Sequence, residues 1–292
     1  MTTMKMSRAE TSNTQVWLAA GLVAIGVLGL AAAMERLPFL PVDWFLYEKV
    51  LHNPLEPYQF NYFNPPWTIW LLLPLSAFTY QAGMLRLLTL IVFLALLRSR
   101  GGDLVNAVLL ATSAPMLFLI ANGNIEFLPA LGLLIPAREI GLIFLLTKPQ
   151  AGILATLAWV RSSGGQRLWL LPLPALAVFL ISLVVYGWWP AEVVSNIIHM
   201  KAVGLTHVEW NTALFPWSIP AGLYFLWRTW RDADEYHGVT ATWLLSPYLP
   251  LYTLTIWLAL FLAREKRRWI VVPVWLLLWV VYLWRFQGWM FA

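Results

Sequence analysis

The sequence predicts an all-α polytopic membrane protein that forms one membrane domain over residues 1–292. Of its residues, 60% are hydrophobic and 11% are charged, and the mean hydropathy is +0.69. These values exclude an ordinary soluble domain. Apolar runs recur along the chain and are separated by short polar breaks, which is the pattern of a helical membrane bundle.

The first apolar run covers residues 16–33 and is long enough to cross a bilayer. Lys5 and Arg8 precede it and Ala31-Ala32-Ala33 ends it, so the segment also partly matches a signal peptide. We expect it to remain as the first transmembrane helix, with the N-terminus in the cytoplasm, in the inner membrane of a prokaryote.

Residues 34–64 form the long polar insert of the first half of the chain, and we expect this loop on the outer side. The insert holds four acidic residues and two Lys or Arg: Glu35, Asp43, Glu48 and Glu56 against Arg36 and Lys49. This charge bias is typical of a translocated loop. Aromatic residues flank the carboxylates and Asn64-Pro65-Pro66 closes the insert. We interpret it as the catalytic loop of an enzyme at a membrane surface.

The next run, residues 66–78, is interrupted by Pro74 and is short for a crossing, so we expect an interfacial or re-entrant helix. A second outer loop is expected over residues 187–212. The remaining apolar runs cover residues 84–97, 104–120, 126–136, 140–147, 151–160, 168–186, 213–227, 239–245, 249–262 and 270–284. Together the runs predict about 9–11 membrane segments, several of them short or broken.

Three polar breaks each separate a pair of shorter apolar runs. They are Asn122-Gly123-Asn124, Lys148-Pro149-Gln150 and Ser246-Pro247-Tyr248. Non-helical backbone at membrane depth is tolerated where it lines a cavity or is buried in protein. All three breaks fall on the same side as the acidic loop, so we expect them to border one outward-facing cavity.

Several classes of chemistry are disfavoured by composition. The chain has no cysteine, which rules out disulfides, thiolate metal sites and cysteine nucleophiles. The net charge of +5 reflects basic residues in short loops and predicts no nucleic-acid partner. His199 and His207 lie in the second outer loop at a spacing that fits no standard metal site, so no metal is expected. The expected partners are membrane lipids.

A series of short elements carries a resemblance to a known family. In chain order they are Asp43, Tyr62-Phe63-Asn64-Pro65-Pro66, Asn122-Gly123-Asn124, Lys148-Pro149, Trp210-Asn211-Thr212 and Ser246-Pro247-Tyr248. In this order the chain resembles the GT-C class of integral-membrane glycosyltransferases, and within it family 87, the polyprenyl-phosphate-mannose-dependent mannosyltransferases. The resemblance implies a GT-C-like helical bundle and a polyprenyl-phosphate-linked sugar as donor substrate, with no other cofactor.

The resemblance implies that Asp43 is the general base for the acceptor hydroxyl. The alternatives are that Asp43 is a solvated loop acid, or that Glu48 or Glu56 takes this role. For the donor phosphate and lipid we predict Lys148, Arg86 and Tyr248. Lys148 interrupts an apolar run, where an ionisable group is a functional candidate. The alternatives are snorkelling for Lys148 and an interfacial anchor for Arg86.

For the sugar or acceptor we predict a set of polar side chains that can hydrogen-bond hydroxyl groups: Asn122, Asn124, Glu126, Tyr62 and Asn211. Several of these would alternatively cap helix ends. Two other functions remain open. One is a non-catalytic subunit of the same fold that scaffolds a larger membrane complex with a membrane-protein partner. The other is a transporter, which is disfavoured because the sequence contains no parallel repeat or obvious ion relay.

Overall fold

The computed structural model describes residues 6–38, 41–60, 62–163, 165–202 and 211–286. These residues form helices joined by short connections, with no strand among them and one isolated bridge, between Asn211 and Pro250. The α-helices are α1 Met6–Glu35, α2 Val42–His52, α3 Trp67–Leu72, α4 Gln81–Ser99, α5 Leu104–Ala111, α6 Ala114–Asn122, α7 Phe127–Leu134, α8 Arg138–Leu145, α9 Thr156–Ser162, α10 Gly165–Leu170, α11 Leu173–Tyr186, α12 Trp189–Ala202, α13 Ile219–Asp232, α14 Glu235–Leu245, α15 Leu254–Arg264 and α16 Arg268–Phe286. Short 3₁₀ segments lie at Pro57–Phe60, Leu73–Ala77, Pro149–Ala151, Ile153–Ala155 and Leu251–Thr253.

Within the described residues, three helical stretches are long and apolar enough to cross a membrane. They are Gln81–Ser99, Leu168–Tyr186 and Arg268–Arg285. Helices α5 and α6 meet at an angle of 53° and add a fourth if the bent pair is one span. The sequence predicts about 9–11 segments, many of them short. The difference arises because several apolar runs form helices of only 6 to 11 residues, well under the length of a bilayer crossing.

Both expected outer loops contain helix. Residues 34–64 include α2, which buries Trp44, Tyr47, Val50 and Leu51 at the spacing of one helix face. The expected loop over residues 187–212 contains α12 up to Ala202, so His199 lies on a helix. His207, Glu209 and Trp210 lie outside the described residues. The short run 66–78 forms α3 and a 3₁₀ segment, in line with an element too short to cross.

Glycine allows two helix pairs to approach closely. A Cβ on Gly83 of α4 would lie 1.9 Å from the Ala31 carbonyl oxygen of α1. Gly132 of α7 and Gly141 of α8 face each other in the same way, because a Cβ on either would lie 2.5–2.6 Å from the other's carbonyl oxygen. Small residues at such contacts are typical of helix packing in membranes.

Candidate functional site

Asp43 lies in the first turn of α2, directly after Pro41 and Val42, and its side chain is half-buried. Proline is tolerated at the start of a helix but not in its interior, so Pro41 marks the start of α2. The Asn124 side-chain amide donates a hydrogen bond of 2.6 Å to Oδ2 of Asp43. A carboxylate predicted in the first outer insert is therefore joined to the first of the polar breaks.

The turn that carries Asn124 requires glycine. Gly123 ends α6 in the left-handed conformation, with φ of +67°. A Cβ there would also lie 2.9 Å from Cβ of Trp44 and 3.1 Å from Cβ of Pro41. The turn therefore packs directly against the start of α2. This close approach brings the Asn124 side-chain amide within hydrogen-bonding distance of Asp43.

Asn124 connects Asp43 to a buried ion pair. Its Oδ1 accepts hydrogen bonds from the backbone N–H of Ile125, at 2.7 Å, and from the Lys148 ammonium group. The same ammonium lies 3.0 Å from Oε1 of Glu126. The Asn124, Lys148 and Glu126 side chains are buried, with exposed fractions of 3%, 6% and 0%. The ion pair between Lys148 and Glu126 is therefore buried, where removing either partner would strongly destabilise the fold.

The third break completes the enclosure of the ion pair. The Thr253 hydroxyl donates to Oε1 of Glu126 at 2.9 Å, and the Tyr252 ring centre lies 5.3 Å from Nζ of Lys148. Both residues sit in the 3₁₀ segment after the Ser-Pro-Tyr break. A cation at this distance from an aromatic face is stabilised by the ring quadrupole. We refer to Asp43, Asn124, Glu126, Lys148 and Thr253 as the polar chain.

Tyrosines border the polar chain. Burial raises the pKa of Tyr47, and the nearby Asp43 carboxylate raises it further. Burial raises the pKa of Tyr248 as well, and the same carboxylate adds to it. Both phenols therefore keep their proton at neutral pH and are available as hydrogen-bond donors beside Asp43. Tyr248 is 43% exposed, so it forms an open edge of the site.

An aromatic wall leads away from Asp43 towards α12. The Tyr47 ring meets Tyr62 edge to face, with centroids 6.2 Å apart, and the Asn64 amide donates to the Tyr47 hydroxyl at 3.3 Å. The Tyr58 hydroxyl donates in turn to the Asn64 carbonyl at 3.2 Å. Beyond Tyr58 lies a cleft of about 330 Å³ that includes Glu56, Gln59, Tyr186 and Glu192 in its lining.

Two predicted site residues hold the backbone of the breaks. Asn211 donates to the Pro247 carbonyl at 3.0 Å and accepts from the backbone N–H of Leu249 at 2.8 Å. It therefore fixes the Ser-Pro-Tyr break from the far side. The Asn122 amide donates to the Phe118 carbonyl within its own helix, at 3.1 Å, and its side chain is buried. Both contacts are those of structural residues.

Arg86, predicted at the donor phosphate, lies inside the bundle. Its guanidinium donates to the carbonyl oxygens of Ile120, at 3.0 Å, and Met34, at 2.6 Å, and the residue is 1% exposed. These bonds tie α4 to the end of α1 and to α6. Next to it, the Glu35 carboxylate accepts from the Gly83 backbone N–H at 2.6 Å. This arrangement favours a structural role for Arg86 over a contact with a ligand.

Sequence reasoning did not single out three residues that the structure adds to this region, Tyr47, Tyr252 and Thr253, and it named Asn64 only as part of a motif. Tyr252 and Thr253 lie inside the apolar run 249–262, shortly after the Ser-Pro-Tyr break, and a hydroxyl within that run was the available signal. Among the described residues, no group of three or more Asp, Glu or His side chains is arranged to hold a metal ion. Comparison with protein-family models, curated proteins and solved structures finds no match to this chain.

Proposed function

We propose that this chain is an integral-membrane glycosyltransferase that transfers a mannose-like sugar from a polyprenyl-phosphate donor to an acceptor at the extracytoplasmic face. The observation that carries the proposal is the polar chain. It joins the start of α2, the Asn-Gly-Asn turn, the Lys-Pro break and the segment after the Ser-Pro-Tyr break. An ionisable residue inside an apolar membrane bundle is a candidate functional group by default.

Asp43 is the proposed general base. It accepts the proton of the acceptor hydroxyl as that oxygen attacks the anomeric carbon, and the bond from this carbon to the phosphate oxygen breaks. Asp43 suits this role because it is the half-buried member of the chain, whereas Asn124, Glu126 and Lys148 are buried. The hydrogen bond from Asn124 orients the carboxylate. General-base assistance contributes about 10²–10⁴-fold in rate.

The proposed role of Lys148 is to position other residues of the site, in addition to attracting the phosphate. Oxygens of Asn124 and Glu126 and the ring of Tyr252 surround its ammonium group. We assign to it the positioning of Asn124, and through Asn124 of Asp43. Its positive charge also favours an anionic leaving group nearby. The exposed phenol of Tyr248 is the proposed hydrogen-bond donor to the phosphate at the open edge of the site.

The cleft beyond Tyr58 is the proposed place for the acceptor. Its lining combines the rings of Tyr58 and Tyr186 with the carboxylates of Glu56 and Glu192. Aromatic faces and hydrogen-bonding side chains are what a hydroxyl-rich molecule requires. The volume of about 330 Å³ is at the lower end of the range for ligand pockets. The contacts from Tyr58 through Asn64 to Tyr47 connect this cleft to the site of Asp43.

The proposed membrane placement follows from α4. Its start packs beside the end of α1, close to the segment with Asp43, and its end carries Arg98 and Arg100. A helix of 19 residues spans about 28 Å, close to the hydrocarbon thickness of a bilayer. From the positive-inside rule, we propose that the arginines lie in the cytoplasm and the Asp43 site lies outside. This orientation, with a cytoplasmic N-terminus, suits a prokaryotic inner membrane.

The test is sugar transfer by the purified chain in liposomes that contain polyprenyl-phosphate mannose and membrane extract as a source of acceptor. We expect Asp43→Asn to lower the release of polyprenyl phosphate by about 10²–10⁴-fold. Binding of the donor, followed by tryptophan fluorescence, is expected to be retained. The matched control is Glu48→Gln, which removes a carboxylate from the same helix five residues later. Equal turnover in the Asp43 variant and the wild type would rule out the assigned base.

A second function is favoured by one observation. Glu126 already pairs with Lys148 inside the protein, so the cation is engaged without a ligand. This suits a non-catalytic subunit that keeps the GT-C-like arrangement as a structural element of a larger membrane complex. Such a subunit would bind no polyprenyl phosphate and would co-purify with a membrane-protein partner in constant ratio. The donor-binding measurement above distinguishes it from the enzyme.

A further inference from the structure

A second charged site lies at the other end of α4. A cleft of about 360 Å³ opens where the end of α4, the start of α8, the turn between α13 and α14, and the end of α15 meet. Arg100, Arg138 and Arg264 line it together with Asp234 and Glu235. Its volume falls within the range of ligand pockets. None of these residues belongs to the polar chain or to the proposed acceptor cleft.

The charges of this cleft are layered. Arg100 lies 2.6 Å from Glu235 and donates a hydrogen bond to the Leu133 carbonyl at 2.8 Å, while Arg264 pairs with Asp234. The arginine side chains are 38% and 51% exposed, whereas their carboxylate partners are 16% and 26% exposed. The guanidinium group is therefore the more accessible member of each pair.

Arg138 differs from the other two arginines. In the described part of the chain, its hydrogen bond goes to the Ser162 hydroxyl, and no carboxylate there lies within ion-pair distance of it. Glu235 is held from a further side by the Trp159 indole, which donates to it at 2.6 Å. Fastening of helix ends accounts for Arg100 and Arg264. Arg138 also ties the start of α8 to the end of α9 through Ser162, but its charge, unlike the charges of Arg100 and Arg264, has no ion-pair partner among the described residues.

We propose that this cleft binds a phosphate-bearing anion, with Arg138 as its principal contact. A guanidinium presents paired N–H donors that match two phosphate oxygens, and this cleft has three guanidinium groups against two carboxylates. The shared chemistry is a phosphoryl group that presents at least two free oxygens. This group belongs either to the headgroup of an anionic lipid in the leaflet next to the cleft or to a soluble phosphate compound. The proposal is independent of the sugar-transfer reaction.

The experiment uses the full chain with two probes. Native mass spectrometry after incubation with phosphatidylglycerol or phosphatidylcholine micelles measures lipid retention. Calorimetry with inorganic pyrophosphate measures binding of a soluble anion. We expect Arg138→Gln to weaken binding of the probe by about tenfold, because one charge-assisted contact is lost. Arg138→Lys keeps the charge but loses the paired donors, so an intermediate loss is expected.

The matched control is Arg267→Gln, which removes an exposed arginine paired with Glu265 outside the cleft. Retention of phosphatidylglycerol that depends on Arg138 and not on Arg267 supports the site with a lipid source. Pyrophosphate binding with the same dependence supports it with a soluble source. Failure of both probes to bind the wild type, or equal losses in the Arg138 and Arg267 variants, overturns the proposal. Unchanged gel-filtration volume shows that each variant is folded.

Discussion

Replacing Lys148 with methionine tests the energetics of the polar chain. Methionine keeps most of the apolar stem and removes the ammonium group. The hydrogen bonds that the ammonium group donates to Asn124 and Glu126 are then lost. Hydrogen bonds to charged groups contribute about 1.5–3 kcal/mol each to stability. Glu126, which is fully buried, is left without its cation. Breaking a buried pair by removal of one partner costs about 3–5 kcal/mol, in agreement with that sum.

The assay is unfolding of the detergent-solubilised protein in a reversible SDS titration, followed by the fluorescence of its 19 tryptophans. We expect Lys148→Met to lower the free energy of unfolding by about 3–5 kcal/mol. Combining it with Glu126→Gln removes both charges, so most of this loss is expected to be recovered. A loss of under about 1 kcal/mol in the single variant would contradict the argument, because a cost that small is typical of a solvated surface pair.

Three further predictions concern the surrounding fold. Gly83→Ala is expected to separate α1 from α4 and to reduce the folded yield in gel filtration, because the new methyl group would overlap the Ala31 carbonyl; Gly21→Ala, in open space, is the control. Arg86→Met is expected to lower the unfolding free energy by about 2–4 kcal/mol in the same SDS titration, since two buried carbonyls lose their donor. Burial lowers the pKa of His237, so near pH 6 the unfolded chain binds more protons than the folded protein. The free energy of unfolding is therefore expected to fall as the pH is lowered from 7 to 5, and His237→Asn is expected to weaken this dependence on pH.

The helical content and the positions of the breaks could be read from the sequence because apolar runs and Pro or Gly punctuation are local signals. The helix in residues 34–64 was missed. Charges at Asp43, Glu48 and Lys49 suggested a loop, whereas α2 keeps its apolar face at Trp44 and Tyr47. The number of spanning helices could not be predicted from the sequence pattern either, because bending at a break depends on tertiary packing.

Sequence reasoning named several residues of the candidate site but not the contacts between them. Asp43 was singled out in the polar insert, and Asn124 and Lys148 at polar breaks between apolar runs; the structure joins the three through hydrogen bonds. Arg86 was predicted at the donor phosphate because it lies near the start of its helix, but its guanidinium bonds to backbone carbonyls, because hydrophobicity alone does not tell which side of a helix faces the bundle. Thr253 was missed since threonine is common in apolar helices.

The account depends on a donor site formed by the polar chain and the open edge beside it. The most direct measurement is a cryo-electron microscopy map of the chain bound to an antibody fragment in the presence of polyprenyl phosphate. The account predicts density for the phosphate beside Asp43 and Tyr248, with the lipid continuing along the bundle surface. Density for the phosphate at any other position, or a map with no bound lipid at saturating concentration, would contradict it.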